Sequence, residues 1–360
     1  MKKKSVFKMI LLGVILLVFL LLSPVFYGLI HEYKPEAVEN LDTKHTAQKT
    51  LELNQPFRVS TWNIGYCGLD AAQDFFMDGG KIVNPASKEQ VKDNLNHITS
   101  FAKELDSDIY LFQEADERAK RSFKINEVEH LEKSMNELHP FQSAFAYNFH
   151  VPYIPYPMPT LGTTYAGILT LSQFQADEAQ RIAFPSSFKW PVSAFNLKRC
   201  LLVERIPVEN SDKELILINL HLEAYDDGGG RALQTKMLSE LMQKEYEKGN
   251  YIIAGGDFNS TLPSVDPDKY PLLETDYFNP ARIDASVFPE GFQFITDDSE
   301  PSTRLLNKPY DPKDKEHTQF YVLDGFILSP NISCEEVKTD NLEYQWSDHN
   351  PVSIQVYLKP

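Results

Sequence analysis

Five short polar segments of this 360-residue chain each set Asn, Asp, Glu or His directly behind an apolar run. They are Thr61-Trp62-Asn63, Gln113-Glu114, Asn219-Leu220-His221, Gly256-Asp257-Phe258-Asn259 and Ser347-Asp348-His349-Asn350-Pro351. Side chains of these types orient water, move protons and hold hard cations, and in layered α/β proteins such chemistry collects where strands end. One segment alone would say little, because Asp and Asn at strand ends commonly cap turns. Acyl transfer is disfavoured: there is no G-x-S-x-G elbow, and none of Cys67, Cys200 and Cys334 comes with a recognisable His partner. The same three cysteines, odd in number and without a C-x-x-C pair, give neither a disulfide framework nor a zinc knuckle.

The order of the segments, with Gly-Asp-Phe-Asn followed by Ser-Asp-His-Asn-Pro-Val, makes the sequence resemble the endonuclease/exonuclease/phosphatase (DNase I-like) superfamily, from roughly Phe57 to Leu358. The resemblance implies a metal-dependent phosphoester hydrolase using Mg²⁺, or alternatively Mn²⁺, on a four-layer α/β sandwich. On this reading Glu114 matches the principal metal-ligand carboxylate, Asn63 lies near the metal, and Asp348 helps to hold it. Asp257 and Asn259 match the pair that positions the attacking water and contacts the phosphate, and His221 matches a second active-site histidine. His349 matches the base or electrophilic donor, held by the carboxylate of Asp324. Gly325 departs from the pattern, since many members carry a large residue there; this either widens the pocket or means little. Hydrolysis of a phosphoester needs water activation, charge relief on phosphoryl oxygens and protection of the leaving oxygen, and such a set provides all three.

The elements that must position these residues are β-rich runs at Phe57–Trp62, Asp108–Phe112, Ala166–Leu171, Cys200–Ile206, Leu215–Leu220, Tyr251–Ala254, Phe320–Leu328 and Val352–Leu358. Several are nearly continuous in apolar residues, as strands buried on both faces are. A helix opened by Ser87 carries Val91, Leu95, Ile98, Ala102 and Leu105 at helical spacing; a second carries Leu233, Met237 and Leu241 and ends by Gly249. The expected fold class is α/β, a four-layer sandwich with two facing mixed sheets and outer helices, preceded by an N-terminal transmembrane helix.

That leading helix follows from Met9 to Ile30, an uncharged apolar run long enough to cross a ~30 Å hydrocarbon core. A cleaved signal peptide is the competing reading, but apolar character continues through Leu29 and Ile30 with no A-x-A site, which favours a retained anchor. Lys2, Lys3, Lys4 and Lys8 place residues 1–8 in the cytoplasm, so the expected location is a single-pass cell-membrane protein with its body outside, or a secreted one after cleavage. Residues 31–54 read as a linker and 55–360 as the catalytic domain.

The formal charge of −16 argues against a dedicated nucleic-acid binder, so a lipid or small phosphorylated metabolite is favoured as substrate over nucleic acid. A surface or secreted nuclease is the alternative. A non-catalytic binding module on the same fold is a second, opposed by the completeness of the residue set. Arg231, behind the Asp226-Asp227-Gly228-Gly229-Gly230 loop, and Arg304 are candidates to contact substrate phosphate. The Gly65–Lys81 connection is a candidate substrate loop. The stretch His150-Val-Pro-Tyr-Ile-Pro-Tyr-Pro-Met-Pro159 is either an apolar wall for a lipid or a rigid loop packed on the sandwich.

Overall fold

Apolar residues on both faces of a strand require a cover on each side, and here a second sheet covers one face and helices the other. The computed structural model describes residues 2–225, 229–273 and 276–360. Its helices are α1 (Lys2–Ile30), α2 (Lys88–Leu105), α3 (Glu127–Asn136) and α4 (Gly229–Tyr246). The strands of the two main sheets are β1 (Val38–Asn40), β2 (Phe57–Asn63), β3 (Ile109–Ala119), β4 (Gln142–Ile154), β5 (Gly162–Ser172), β6 (Glu178–Ala183) and β7 (Cys200–Pro207). They continue with β8 (Glu214–His221), β9 (Tyr251–Asp257), β10 (Gln293–Ile295), β11 (Asp324–Leu328), β12 (Ile332–Thr339) and β13 (Val352–Leu358).

Among the described residues, one sheet runs β1-β6-β7-β8-β9-β11-β10 and the other β12-β13-β2-β3-β5-β4. Both are mixed: β8 pairs parallel with β9 and β2 parallel with β3, and their other neighbours are antiparallel. Alternation along the strands sorts the core into layers. Val59, Ile109, Leu111 and Ile354 of one sheet meet Leu215, Leu217 and Ile253 of the other between the sheets. Ile216, Ile218 and Leu220 face outward onto Leu238 and Met242 of α4, while Tyr110, Phe112 and Leu171 face Leu95, Ile98 and Leu131 of α2 and α3. The expected four layers are therefore present. Helix α2 starts as read, with Ser87 Oγ accepting from Gln90 N at 3.1 Å, and stops where Asp106 turns left-handed at φ 48°.

Three differences from the sequence reading have local causes. The run Phe320–Leu328 is two strands, because the chain changes partner: Phe320–Tyr321 pairs with Thr303–Arg304, and β11 then joins β9. Strands β4, β6 and β12 carry no clear sequence signal because they lie at or next to sheet edges, where polar residues such as Glu335, Glu336 and Lys338 interrupt the apolar pattern. Finally, the segment 31–54, expected as a linker, is laid against the body: β1 pairs with β6, and Leu51 is buried in the core between the sheets. Helix α1 is long and apolar enough to cross a membrane, a composition shared by anchors and signal sequences, and its apolar stretch projects from the body uncovered.

Inside the sandwich, Glu204 of β7 points its carboxyl into the apolar layer with neither oxygen hydrogen-bonded among the described residues. Burial pushes its pKa up to about 8. Because the folded pKa lies above the unfolded one, its stabilising share is complete below pH ~4.5 and is lost as pH rises through 8. Glu204→Gln is expected to match the parent in urea unfolding at pH 4.5 and to exceed it by a few kcal/mol at pH 9. The gap opens because each tenfold fall in proton activity between the two pKa values costs the parent's folded state about 1.4 kcal/mol.

Candidate active site

The five polar segments converge at one end of the sandwich, and they do so from both sheets. Asn63 ends β2, Glu114 lies within β3, and Asp348 and His349 immediately precede β13, all belonging to one sheet. His221 ends β8, Asp257 ends β9, Asn259 follows it, and Asp324 opens β11, all belonging to the other. Local backbone geometry aims these side chains. Glu114 sits in a bulge of β3 with a left-handed φ of 54°, which turns its carboxylate out of the ladder toward the site. Gly256 is required beside Asp257, since a Cβ there would lie 1.9 Å from the carbonyl oxygen of Leu220 on the neighbouring strand.

Hydrogen bonds join the two halves. Asn63 Nδ2 donates to Asp257 Oδ2 at 3.1 Å and approaches Glu114 Oε1 at 3.4 Å, while its Oδ1 accepts from Gly65 N. His349 Nδ1 lies 2.8 Å from Asp324 Oδ2, which also accepts from Ser302 Oγ at 2.7 Å. His349 Nε2 is 3.8 Å from Asp257 Oδ2 and 3.9 Å from Asp348 Oδ2. His221 Nε2 stands 3.3 Å from the same Asp257 oxygen. Asn259 N donates to Asp257 Oδ1 at 2.8 Å, and its amide donates to Leu222 O.

The two histidines are driven to opposite charge states. Burial disfavours the charged form of His349, but the carboxylates of Asp324, Asp348 and Asp257 outweigh it and push its pKa up to about 10. Burial, together with the positive charges of Arg199, His349 and Arg121, holds His221 well below the usual histidine value. At neutral pH the first is an imidazolium and the second a neutral ring. Asp257 is raised to about 6 by burial, with His349 opposing, and Asp348 to about 7 by burial and the nearby charge of Glu114, again with His349 opposing.

Two groupings of oxygen and nitrogen donors invite a cation. Asp257, Asp324 and His349 bring three ligand-type atoms within 4.8 Å of one another, but the His349–Asp324 hydrogen bond already occupies that cluster. Glu114 and Asp348 fit better. Their mutual repulsion raises Asp348, and oxygen-only donors facing a cavity suit a hard divalent ion that keeps several waters.

The cavity above this floor has a volume of about 360 Å³. Asn63, Glu114, His221, Asp257, Asn259, Arg304, Asp348 and His349 line it, and Asp324 stands behind His349. Of the two arginines singled out in the sequence, Arg304 is buried in the wall. Its Nη atoms donate to the carbonyls of Asp70, Gln73, Leu305 and Lys308, so it ties down the loop after β2. Arg231 lies outside the lining and donates to the Asn259 carbonyl at 2.9 Å; the preceding Asp226–Gly228 lies outside the described residues. The loop after β2 forms one wall with Tyr66, Leu69, Phe75, Phe76 and Met77, and the proline-rich stretch contributes Ile154 and Tyr156 to another. Gly325 does not widen the pocket: a Cβ there would meet Ile295 O at 2.7 Å and Leu262 Cδ1 at 2.8 Å, away from the site.

Arg199 is not marked out by the sequence reading. It lines the cavity and is buried, with Nε and Nη1 lacking hydrogen-bond partners among the described residues and Nε 4.0 Å from Glu223 Oε2. Its one sequence signal is a basic residue immediately before a buried strand in an acidic chain. Arg121, also in the wall, is committed to Asp116 at 3.0 and 3.2 Å and stacks 3.8 Å from the centre of the Tyr66 ring.

The sequence model of the Endonuclease/Exonuclease/phosphatase family matches residues 60–308, and the chain belongs to that family. Its members are phosphoester hydrolases that generally depend on a divalent metal. Solved structures with the same fold include the endonuclease/exonuclease/phosphatase of Beutenbergia cavernae DSM 12333, which is 14% identical with a TM-score of 0.56, covering 85% of this chain and 72% of that one. The human Nocturnin catalytic domain with bound sulfate is 14% identical with a TM-score of 0.52, covering 89% and 98%. Truncated Caenorhabditis elegans TDP2 is 15% identical with a TM-score of 0.50, covering 84% and 97%. No curated protein matches the chain.

The left-handed backbone of Glu114 costs an L-residue about 1–2 kcal/mol. Glu114→Gly is therefore expected to unfold in urea, in the presence of chelator, at or above the parent midpoint, while losing metal-dependent phosphoester turnover. A clear drop in the midpoint would mean that the carboxylate serves folding rather than chemistry.

Proposed function

We propose that this chain is a membrane-anchored phosphoester hydrolase that uses Mg²⁺ or Mn²⁺, with residues 55–360 as the catalytic unit facing outward and residues 9–30 as the anchor. The observation that carries the reading is the convergence of Asn63, Glu114, His221, Asp257, Asn259, Asp348 and His349 on the floor of one cavity, with Asp324 behind His349. Glu114 and Asp348 would hold the ion, with Asn63 beside them. When bound, the ion supplies charge relief to the phosphoryl group.

Asp257, fixed by Asn63, His221 and the Asn259 amide, orients water and accepts its proton; a carboxyl raised to about 6 by burial is a stronger base than a free aspartate. His349, kept cationic by Asp324, donates to a phosphoryl oxygen as negative charge builds. Neutral His221 places a polar hydrogen beside Asp257 without adding a second cation next to His349. Arg199, with two unsatisfied nitrogens aimed into the cavity, pairs with a non-reacting phosphate oxygen. The water oxygen bonds to phosphorus, one P–O ester bond breaks, and the departing oxygen takes a proton from solvent at the cavity mouth.

The test is turnover of bis-p-nitrophenyl phosphate by the full chain in detergent. Activity is expected with Mg²⁺ or Mn²⁺ and not with EDTA, and His349→Ala is expected to cost at least about 100-fold in kcat. Arg199→Gln is expected to lower kcat/KM roughly 10- to 100-fold, the range for one buried charge-assisted contact. Metal-independent turnover, or turnover indifferent to His349→Ala, would leave a binding module on the same fold as the better account.

A further inference from the structure

The anchor and the cavity share a wall. The last turns of α1 pack on β4 and on the 3₁₀ turn Val192–Phe195, and the contact is intimate: a Cβ added to Gly28 would fall 2.2 Å from Cε1 of Phe195. Phe195 also lines the cavity, together with Phe188, Leu197 and Tyr156. Two further ties hold this corner. Lys198 Nζ lies 3.1 Å from Glu32 Oε1 just past the helix, and the Tyr33 ring lies 5.0 Å from that of His150 on β4. The depth of the cavity wall relative to the end of α1 is thereby fixed.

Around the same corner the surface is apolar without cover. Met158 is 82% exposed, Trp190 67%, Tyr156 52% and Val192 49%. Trp190 and Val192 cannot stray far from the helix end, because the segment is wound into turns, with Ser193 N donating to Lys189 O at 3.0 Å and Ala194 N to Pro191 O at 3.1 Å. Tyr156 and Met158 continue directly from β4, which the helix touches. Exposed large apolar side chains in such a cluster are costly in water, and Trp and Tyr at the end of a membrane-spanning helix are the residues that settle at a bilayer interface. Beyond the rim the cavity walls are mostly aliphatic and aromatic, while the groups that grip phosphate are confined to the floor.

Resting on the hydrolase reading above, we propose that the substrate is a lipid phosphoester of the bilayer in which α1 sits, admitted through a rim of Tyr156, Met158, Trp190 and Val192 that dips into the outer leaflet. The phosphate reaches Arg199 and His349 on the floor, and the apolar chain lies along the wall made by Phe188, Phe195 and Leu197. Water adds its oxygen to phosphorus, one P–O ester bond breaks, and the leaving alcohol carries away a proton, so that one product stays in the membrane and one enters water. A nucleic acid gains nothing from this rim, and the body's acidity opposes it.

The test uses the full chain reconstituted in vesicles of phosphatidylcholine and phosphatidylglycerol, as diester probes, with phosphatidic acid as the monoester probe, and follows products by mass spectrometry. Bis-p-nitrophenyl phosphate and a single-stranded oligonucleotide are assayed in parallel. At least one lipid is expected to be cleaved. Trp190→Ser combined with Met158→Ser is expected to lower that rate at least tenfold and leave the soluble diester unchanged. Brominated lipid is expected to quench the Trp190 fraction of emission, read against Trp190→Phe, since Trp62 is buried and Trp346 partly so. Turnover of the soluble diester with no lipid cleavage, equal lipid cleavage by the rim variant, preferential cutting of the oligonucleotide, or no quenching of Trp190 would each overturn the membrane-substrate proposal while sparing the hydrolase reading. No turnover of any probe would overturn both.

Discussion

The site exists only while two sheets hold one register. Its carboxylates and histidines are divided between them, and few covalent steps connect the halves, so catalytic distances are set by contacts across the sandwich. The strongest lie directly under the site: Gln113 Nε2 donates to Asn219 Oδ1 at 2.9 Å, and Asn219 donates back to the carbonyls of Phe112 and Leu169. These buried amides satisfy each other only in one alignment, whereas the apolar core below them tolerates sliding. Gln113 precedes Glu114 and Asn219 lies two residues before His221, so the alignment is transmitted directly to reacting groups. The Asn63–Asp257 and Asp324–His349 bonds repeat the device one layer higher.

Charge is arranged with the same economy. Three buried carboxylates around one histidine would be untenable if all stayed ionised without compensation, and the structure answers by making His349 a cation and leaving Asp257 and Asp348 partly protonated near neutrality. Glu114, more exposed and tied to Arg121 at 3.8 Å, is the carboxylate best able to face an ion. A second histidine with a suppressed charge keeps the local positive field concentrated at His349 rather than spread across the floor.

Much of this was legible in the sequence because strand ends and polar punctuation are local signals. The Gly-Asp-Phe-Asn and Ser-Asp-His-Asn-Pro-Val segments, and with them the family, could be read directly, as could α2 from Ser87 and the buried central strands. What could not be read depends on contacts distant in sequence. Arg199 becomes interesting only when Glu223 fails to satisfy it, and Arg304 shows its carbonyl-clamping role only when residues 70–73 fold over it. The segment 31–54 looked like a linker because its few apolar residues, such as Ala47 and Leu51, carry no periodicity until the body offers them a groove.

Gly28 bears on how this protein can be processed. The helix it belongs to is pressed on Phe195, so a protease cutting behind Ile30 would remove a packed surface as well as a tether. The freed body would expose the back of a ring whose front forms the substrate chamber, and the chamber would lose rigidity on that side. Shedding from the membrane and retention of a well-formed binding chamber are therefore in conflict, a constraint that favours lifelong attachment over release.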